Sequence, residues 1–325
     1  MINLIAILSS IGLTFLVRLI ALKKNIIDNP NERSSHTIPT PRGGGLAIVI
    51  VWFLGLAYLY WKEQMDQNLF FALLSGLVLA VVSLADDILG LKPSVRLLAQ
   101  AASAFGALWF LGGINLFPSI NSQALFWLIN FGAFISIIWF INLFNFLDGI
   151  DAYASQEAIL VAAGLLVLTG NSLLGLLIAA VGGFLVWNWP KAKIFMGDVG
   201  STQLGFILVV FGIYFHNTEE LNIANWLILT SLFWFDATFT LFRRWRNEEQ
   251  LSKAHRKHAY QRLTRAGWSH LKVDIYAITI NLILTAIVLL NHFYFNQNTL
   301  ALIISLGLLF FVNRKVDKIF PFPKN

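Results

Sequence analysis

Asn142-Leu143-Phe144-Asn145-Phe146-Leu147-Asp148-Gly149-Ile150-Asp151-Ala152 closes an apolar run that begins near residue 124 and sets four polar side chains and a glycine into a largely apolar chain. Asn142, Asn145, Asp148 and Asp151 recur every three residues. On a helical backbone that spacing makes each a surface neighbour of the next, along a slowly turning stripe. A helix end with Asx capping is the structural alternative. The surroundings decide between them.

Hydrophobic residues make up 57% of the 325 and charged residues only 12%, against a soluble average of roughly 45–50% and 25%. Mean hydropathy is +0.70. The chain reads as an all-α, polytopic integral membrane protein, one domain over 1–325, and it is long enough for about ten spans of roughly 20 residues. Zero cysteines exclude a disulfide framework and thiolate metal or redox chemistry. The net charge of +6 reflects the bias of basic residues toward the cytoplasmic side rather than a nucleic-acid partner.

Eleven apolar segments fall at about 1–22, 45–61, 68–85, 96–111, 124–142, 155–169, 172–189, 202–216, 223–241, 273–292 and 299–313. The first has no Lys or Arg ahead of its apolar run and no small-residue cleavage site, so it reads as a retained helix. With the N-terminus outside and eleven spans, 21 of the 23 Lys and Arg lie inside. Lys62 lies outside, and Arg18 can snorkel inward from the first span. The expected arrangement is about 11 transmembrane helices, N-terminus periplasmic and C-terminus cytoplasmic. Nearly every unusual polar residue then falls in the five inner connections, around 23–44, 86–95, 142–154, 190–201 and 242–272.

The first of these, Pro41-Arg42-Gly43-Gly44-Gly45, is a basic, glycine-rich loop opening into a helix, a pattern suited to phosphate. Asp86 and Asp87 close the third span, and neighbours on a helix point about 100° apart, which argues for two different jobs. Gly197-Asp198-Val199-Gly200-Ser201 places a lone carboxylate at a helix start, where a hard cation and a phosphate can meet. Magnesium favours one or two carboxylates plus substrate phosphates over an all-protein cage. The longest inner connection carries His255-Arg256-Lys257-His258 among nine Lys and Arg. It suits anionic headgroups or a multiply charged soluble substrate.

In this order the motifs resemble the polyprenyl-phosphate N-acetylhexosamine-1-phosphate transferases (glycosyltransferase family 4), and the form His-Arg-Lys-His-Ala-Tyr-Gln-Arg-Leu at 255–263 is most similar to the O-antigen-initiating branch. The resemblance implies a UDP-N-acetylhexosamine such as UDP-GlcNAc or UDP-N-acetylfucosamine, a polyprenyl (undecaprenyl) phosphate, Mg²⁺ (with Mn²⁺ as a substitute) and UMP as leaving group. It further implies the bacterial inner membrane and leaves a homodimer open. Carried across residue by residue, it makes Asp198 the principal metal ligand and gives catalytic positions to Asp86, Asp87, Asp148 and Asp151. Arg42, Asn142, Asn145, His255, Arg256 and His258 become substrate-binding, the two histidines at the sugar-phosphate end. Ala152, where relatives often carry Gly, and Tyr153, where a small apolar residue is common, depart from the pattern.

Exchanging one diphosphate bond for another calls for in-line positioning and charge neutralisation more than covalent chemistry. A lipid phosphate with a second pKa near roughly 6 is already mostly dianionic at neutral pH, so direct attack is favoured over an aspartyl-phosphate intermediate. The competing reading is a secondary transporter, whose ionisable residues should lie near the bilayer midplane in repeated halves.

Overall fold

The computed structural model describes residues 1–30, 35, 38–117, 122–251, 253 and 255–323. Asn31, Glu32, Arg33, Ser34, His36 and Thr37 of the first polar connection, and Lys324, lie outside the described residues. All eleven apolar segments are helical. They form α1 (Ile2–Lys23), α2 (Gly45–Trp61), α3 (Gln67–Leu74) continued by α4 (Gly76–Leu89), α5 (Pro93–Leu111), α6 (Gln123–Phe146), α7 (Tyr153–Thr169) and α8 (Ser172–Asn188). Next come α9 (Asp198–Asn217) and α10 (Ile223–Leu229) continued by α11 (Ser231–Arg246). A short α12 (Ala259–Arg265) interrupts the basic connection before α13 (His270–Leu290) and α14 (Asn298–Ile319). A two-residue antiparallel ladder pairs β1 (Ile27–Asp28) with β2 (Thr40–Pro41). Among the described residues, seven helical stretches are long and apolar enough to cross a membrane, and α2, α7 and α8 are shorter apolar helices.

Local chemistry sets the boundaries. Asp66, Ser122, Asn171, Asn222 and Ser269 each accept a backbone N–H in the first turn of the helix they precede. Gly90, Gly112 and Gly170 end α4, α5 and α7 in the left-handed conformation. Two expected spans are bent. At the α10–α11 junction the Thr230 hydroxyl donates to the Trp226 carbonyl four residues back, and at the α3–α4 junction Ser75 bonds the carbonyls of Ala72 and Ser103. Such back-bonding competes with the helical ladder and bends it.

α9 is the central helix, packed against α2, α4, α6 and α7 and buried along almost its whole length. Lipid tails are as apolar as leucine, so burial by itself does not drive helices together in a membrane; close van der Waals packing must. Small residues supply it. Gly45 of α2 lies directly on Gly200 of α9, and a Cβ on Gly205 would stand 3.0 Å from the Phe140 carbonyl oxygen of α6.

The polar stripe expected at 142–151 is interrupted. α6 stops at Phe146, so Asn142 and Asn145 are helical whereas Asp148 and Asp151 sit in a turn. That turn closes at Ala152, whose φ of +62° lies in the left-handed region and whose N–H donates to Asn188 Oδ1 at 3.0 Å. An L-residue there costs roughly 1–2 kcal/mol.

Gly45→Ala should lower the melting temperature of the detergent-solubilised protein, at a cost of about 1–3 kcal/mol from overpacking against the Gly200 backbone. Gly12→Ala, where a Cβ meets nothing within 4 Å, serves as the control. Equal melting temperatures for the two variants would contradict the close α2–α9 crossing.

Candidate active site

The polar helix ends and loops meet at one end of the bundle. Asp87, in the last turn of α4, accepts the N–H groups of Asp198 and Val199 at 3.2 Å each and so caps the start of α9. The loop before α2 docks alongside: Gly44 N–H donates to the Phe195 carbonyl (2.9 Å), Gly45 N–H to that of Met196 (2.8 Å), and Phe195 N–H to that of Pro41 (2.8 Å). Arg42 closes the corner with a 2.7 Å bond from its guanidinium to the Asp87 carbonyl oxygen. Asp86 points elsewhere, as its 100° offset from Asp87 predicts. It accepts from Leu91 N–H (2.6 Å) and pairs with Arg96 at 3.1 Å.

Asp198 Oδ1 accepts from Asn145 Nδ2 at 3.0 Å, and the same nitrogen lies 3.0 Å from Ser201 Oγ. Asp198 Oδ2 faces Arg96 at 3.7 Å, a loose pair with both side chains partly exposed. Asp87, Asp148, Asp151 and Asp198 line one cavity of about 290 Å³ with Arg42 and Asn145. Burial, then the charges of Asp198, Asp87 and Asp151, push the Asp148 carboxyl well above the usual carboxylate range.

Such a concentration of negative charge suits a divalent cation. Neither oxygen of Asp148 accepts a hydrogen bond among the described residues, and Oδ2 of Asp198 has only the loose Arg96 contact. No group of three or more His, Asp or Glu among the described residues is arranged to hold a metal ion. Two open carboxylates without a cage match the style in which Mg²⁺ is bound beside phosphates. The donor set therefore fits the ion.

Other expected site residues are placed apart from this cavity. Asn142 is tied to Gln100 in a reciprocal amide pair (2.8 and 3.1 Å), which uses its polar head between α5 and α6. His255 and Arg256 line a separate basic cavity of about 540 Å³ with Arg244, Lys253 and Lys257. His258 is buried at the start of α12. The histidine pair expected at the sugar-phosphate end thus does not line the acidic cavity; burial, then the His258 and Arg244 charges, bring His255 down to about 3, and burial and Arg244 bring His258 to about 3. Both are neutral at physiological pH, so the 3.7 Å approach of His258 to Asp236 is no ion pair. Asp236 instead accepts the Ala259 N–H at 3.0 and 3.1 Å, capping α12.

Several cavity residues have no role in the sequence reading. His270 is the foremost: its Nδ1 lies 3.1 Å from Asp151 Oδ2 and its Nε2 3.1 Å from the Ser35 carbonyl. Asp151 also accepts the Ala192 N–H at 3.1 Å. Asp28, Asn188 and Gln261 also line the cavity. The available signal for His270 is its place just after Ser269, the N-cap of α13, where the chain re-enters the bundle.

Known proteins of one kind are similar to this chain. The model of glycosyl transferase family 4 matches residues 69–216, from α3 through α9. A probable undecaprenyl-phosphate N-acetylglucosaminyl 1-phosphate transferase of Bacillus subtilis (strain 168) is 29% identical over 283 residues, covering 82% of this chain and 77% of that protein. An undecaprenyl-phosphate alpha-N-acetylglucosaminyl 1-phosphate transferase of Thermotoga maritima is 28% identical over 296 residues, covering 88% and 89%. A phospho-N-acetylmuramoyl-pentapeptide-transferase of Latilactobacillus sakei is 27% identical, covering 77% and 84%. Over most of its length the chain is therefore similar to polyprenyl-phosphate N-acetylhexosamine-1-phosphate transferases.

Proposed function

We propose that this protein transfers an N-acetylhexosamine 1-phosphate, GlcNAc or a 6-deoxy relative such as FucNAc, from its UDP-sugar to undecaprenyl phosphate, releasing UMP. The transfer starts a lipid-linked O-antigen or another envelope polysaccharide at the cytoplasmic face of the bacterial inner membrane. The chain is an enzyme of polyprenyl-phosphate sugar-1-phosphate transfer and a multi-pass bacterial membrane protein. The observation that carries the reading is the joining of Asp87, Asp148 and Asp198 with Arg42 around one cavity at the helix ends, with Arg96 beside Asp198. The transporter alternative needs ionisable cavity residues at the midplane in repeated halves, which is not this arrangement.

The reaction forms one P–O bond from the lipid phosphate to the phosphorus bearing the sugar and breaks the P–O bond from that phosphorus to UMP. No proton need be removed from a lipid phosphate that is already dianionic, so direct attack suffices. Arg42 uses one donor on the Asp87 carbonyl and has further guanidinium donors for phosphate oxygens. Arg96, held by Asp86, adds positive charge next to Asp198. Asn145 orients Asp198, and Asp87 fixes the turn that carries it. Asp198 and Asp148 would hold Mg²⁺, or Mn²⁺ in its place, which when bound supplies charge neutralisation for the diphosphate and the departing UMP. Preorganised charge of this kind is what phosphoryl transfer chiefly requires.

Asp198→Asn should lower UMP release by at least about 100-fold, equivalent to about 2.7 kcal/mol of barrier, with an unchanged gel-filtration profile in detergent. Near-normal turnover would remove Asp198 from the centre of the mechanism. Membranes containing the protein, incubated with undecaprenyl phosphate, Mg²⁺ and a panel of UDP-sugars, should give a lipid-linked HexNAc diphosphate by mass spectrometry. A chelator should abolish the product and excess Mg²⁺ restore it. Absence of a lipid product with every UDP-sugar would refute the reading, and product formed in chelator would refute its metal dependence.

A further inference from the structure

α7 and α13 face each other across three polar rungs. At the cavity wall His270 meets Asp151; deeper, Gln156 Nε2 donates to Asp274 Oδ1 at 3.2 Å; deeper still, Asn281 Nδ2 donates to Glu157 Oε2 at 2.5 Å. The four lower residues are sealed from solvent, Gln156 at 4% exposure, Glu157 at 1%, Asp274 at 0% and Asn281 at 2%. Among the described residues no Lys, Arg or His nitrogen lies within 4 Å of either acid. The sugar-phosphate chemistry makes no use of them.

Hydrogen-bond accounting identifies what is missing. The second oxygen of each of the four side chains, Gln156 Oε1, Asp274 Oδ2, Glu157 Oε1 and Asn281 Oδ1, is buried with no partner. An amide oxygen and an ionised carboxylate oxygen are both acceptors, so two ionised acids would leave all four stranded. A protonated carboxyl has one donor and one acceptor, the complement of a carboxamide. One proton on each acid would serve its own free oxygen and that of its amide partner in a single bond, and two protons would serve all four orphaned atoms.

We propose that Glu157 and Asp274 are carried as neutral acids, each in a two-point pair with Asn281 and Gln156 respectively, and that these pairs hold α13 in register with α7 so that His270 clamps Asp151 at the cavity. The Ser35 carbonyl can only accept, so His270 Nε2 donates to it, and Nδ1 donates to the Asp151 carboxylate when the ring is doubly protonated. α7 starts two residues after Asp151 and α13 starts at His270, so any slip between the helices is felt at this contact. Glu157, Asp274 and His270 are positioning residues that act through Asp151; the activity readouts rest on the phosphotransfer reading.

The test uses the full-length protein in lipid. Asp274→Asn and Glu157→Gln keep one donor and one acceptor toward the partner amide and should retain kcat within twofold of the unsubstituted chain. Asp274→Ala should lower kcat at least about fivefold, and less than twofold when Asp151 is already Asn. A fivefold or greater loss in the isosteric amide variants, or an undiminished loss from Asp274→Ala in the Asp151→Asn background, would overturn the proposal. Infrared difference spectra at neutral pH, unsubstituted minus Asp274→Asn and unsubstituted minus Glu157→Gln, decide the protonation state without any substrate. A lost protonated-carboxyl C=O band is expected in each, and a lost carboxylate band would overturn the assignment. If no UDP-sugar is turned over, the phosphotransfer reading fails while the infrared result still stands.

Discussion

The capping of α9 by Asp87 is the joint on which the site depends. A helix that begins inside a protein leaves its first N–H groups without intrahelical partners, and another acceptor must take them up. Asp87 supplies the acceptors for Asp198 and Val199, so the end of α4 and the start of α9 become one unit. Arg42 is fastened to the backbone of Asp87, Arg96 to Asp86, and Asn145 to Asp198. Arg42, Arg96 and Asp198, which would meet a phosphate or cation, are therefore all held at the same joint.

Packing makes that joint rigid. Nearly every residue of α9 is enclosed, and the glycine contact with α2 allows backbone to meet backbone where lipid offers no hydrophobic incentive to associate. The loop before α2 is stitched to the segment before α9 by three main-chain bonds, which fixes Arg42 relative to Asp198 without a longer sheet. On the other side of the cavity, α12 is held by Asp236 at its start, and Arg262 bonds Asp317 and the Phe320 carbonyl at the end of α14. The basic connection is thus folded against the bundle.

Much of the fold was legible because lipid imposes a strong pattern. Eleven apolar runs became helices within a few residues of their expected ends, and the minimal turn at Gly170-Asn171 separates α7 from α8. The acids of the cavity were legible as well, since carboxylates at the ends of apolar spans are expensive to keep. What misled was periodicity carried past a helix end. The spacing of Asn142, Asn145, Asp148 and Asp151 is uniform, but helix geometry applies only to the first two, and Asn142 turns to Gln100. His255 and His258 are expected at the sugar-phosphate end, yet His255 lines a separate basic cavity and His258 is buried at the start of α12. His270 was hidden among nearby cations because nothing in its own segment announces Asp151, 119 residues away.

Sequence alone therefore determined an all-helical membrane protein, the identity of the acids at its helix ends and the family to which their order points. These follow from local rules: apolar run length, capping chemistry and the cost of charge near lipid. Only the tertiary structure decided which of two adjacent aspartates faces the cavity, which histidine meets an acid, and that the polar residues of α7 and α13 pair as acid and amide. Those outcomes rest on contacts between residues far apart in the chain, where one hydrogen bond or one buried cation sets a side chain's role, and no local pattern encodes the partner.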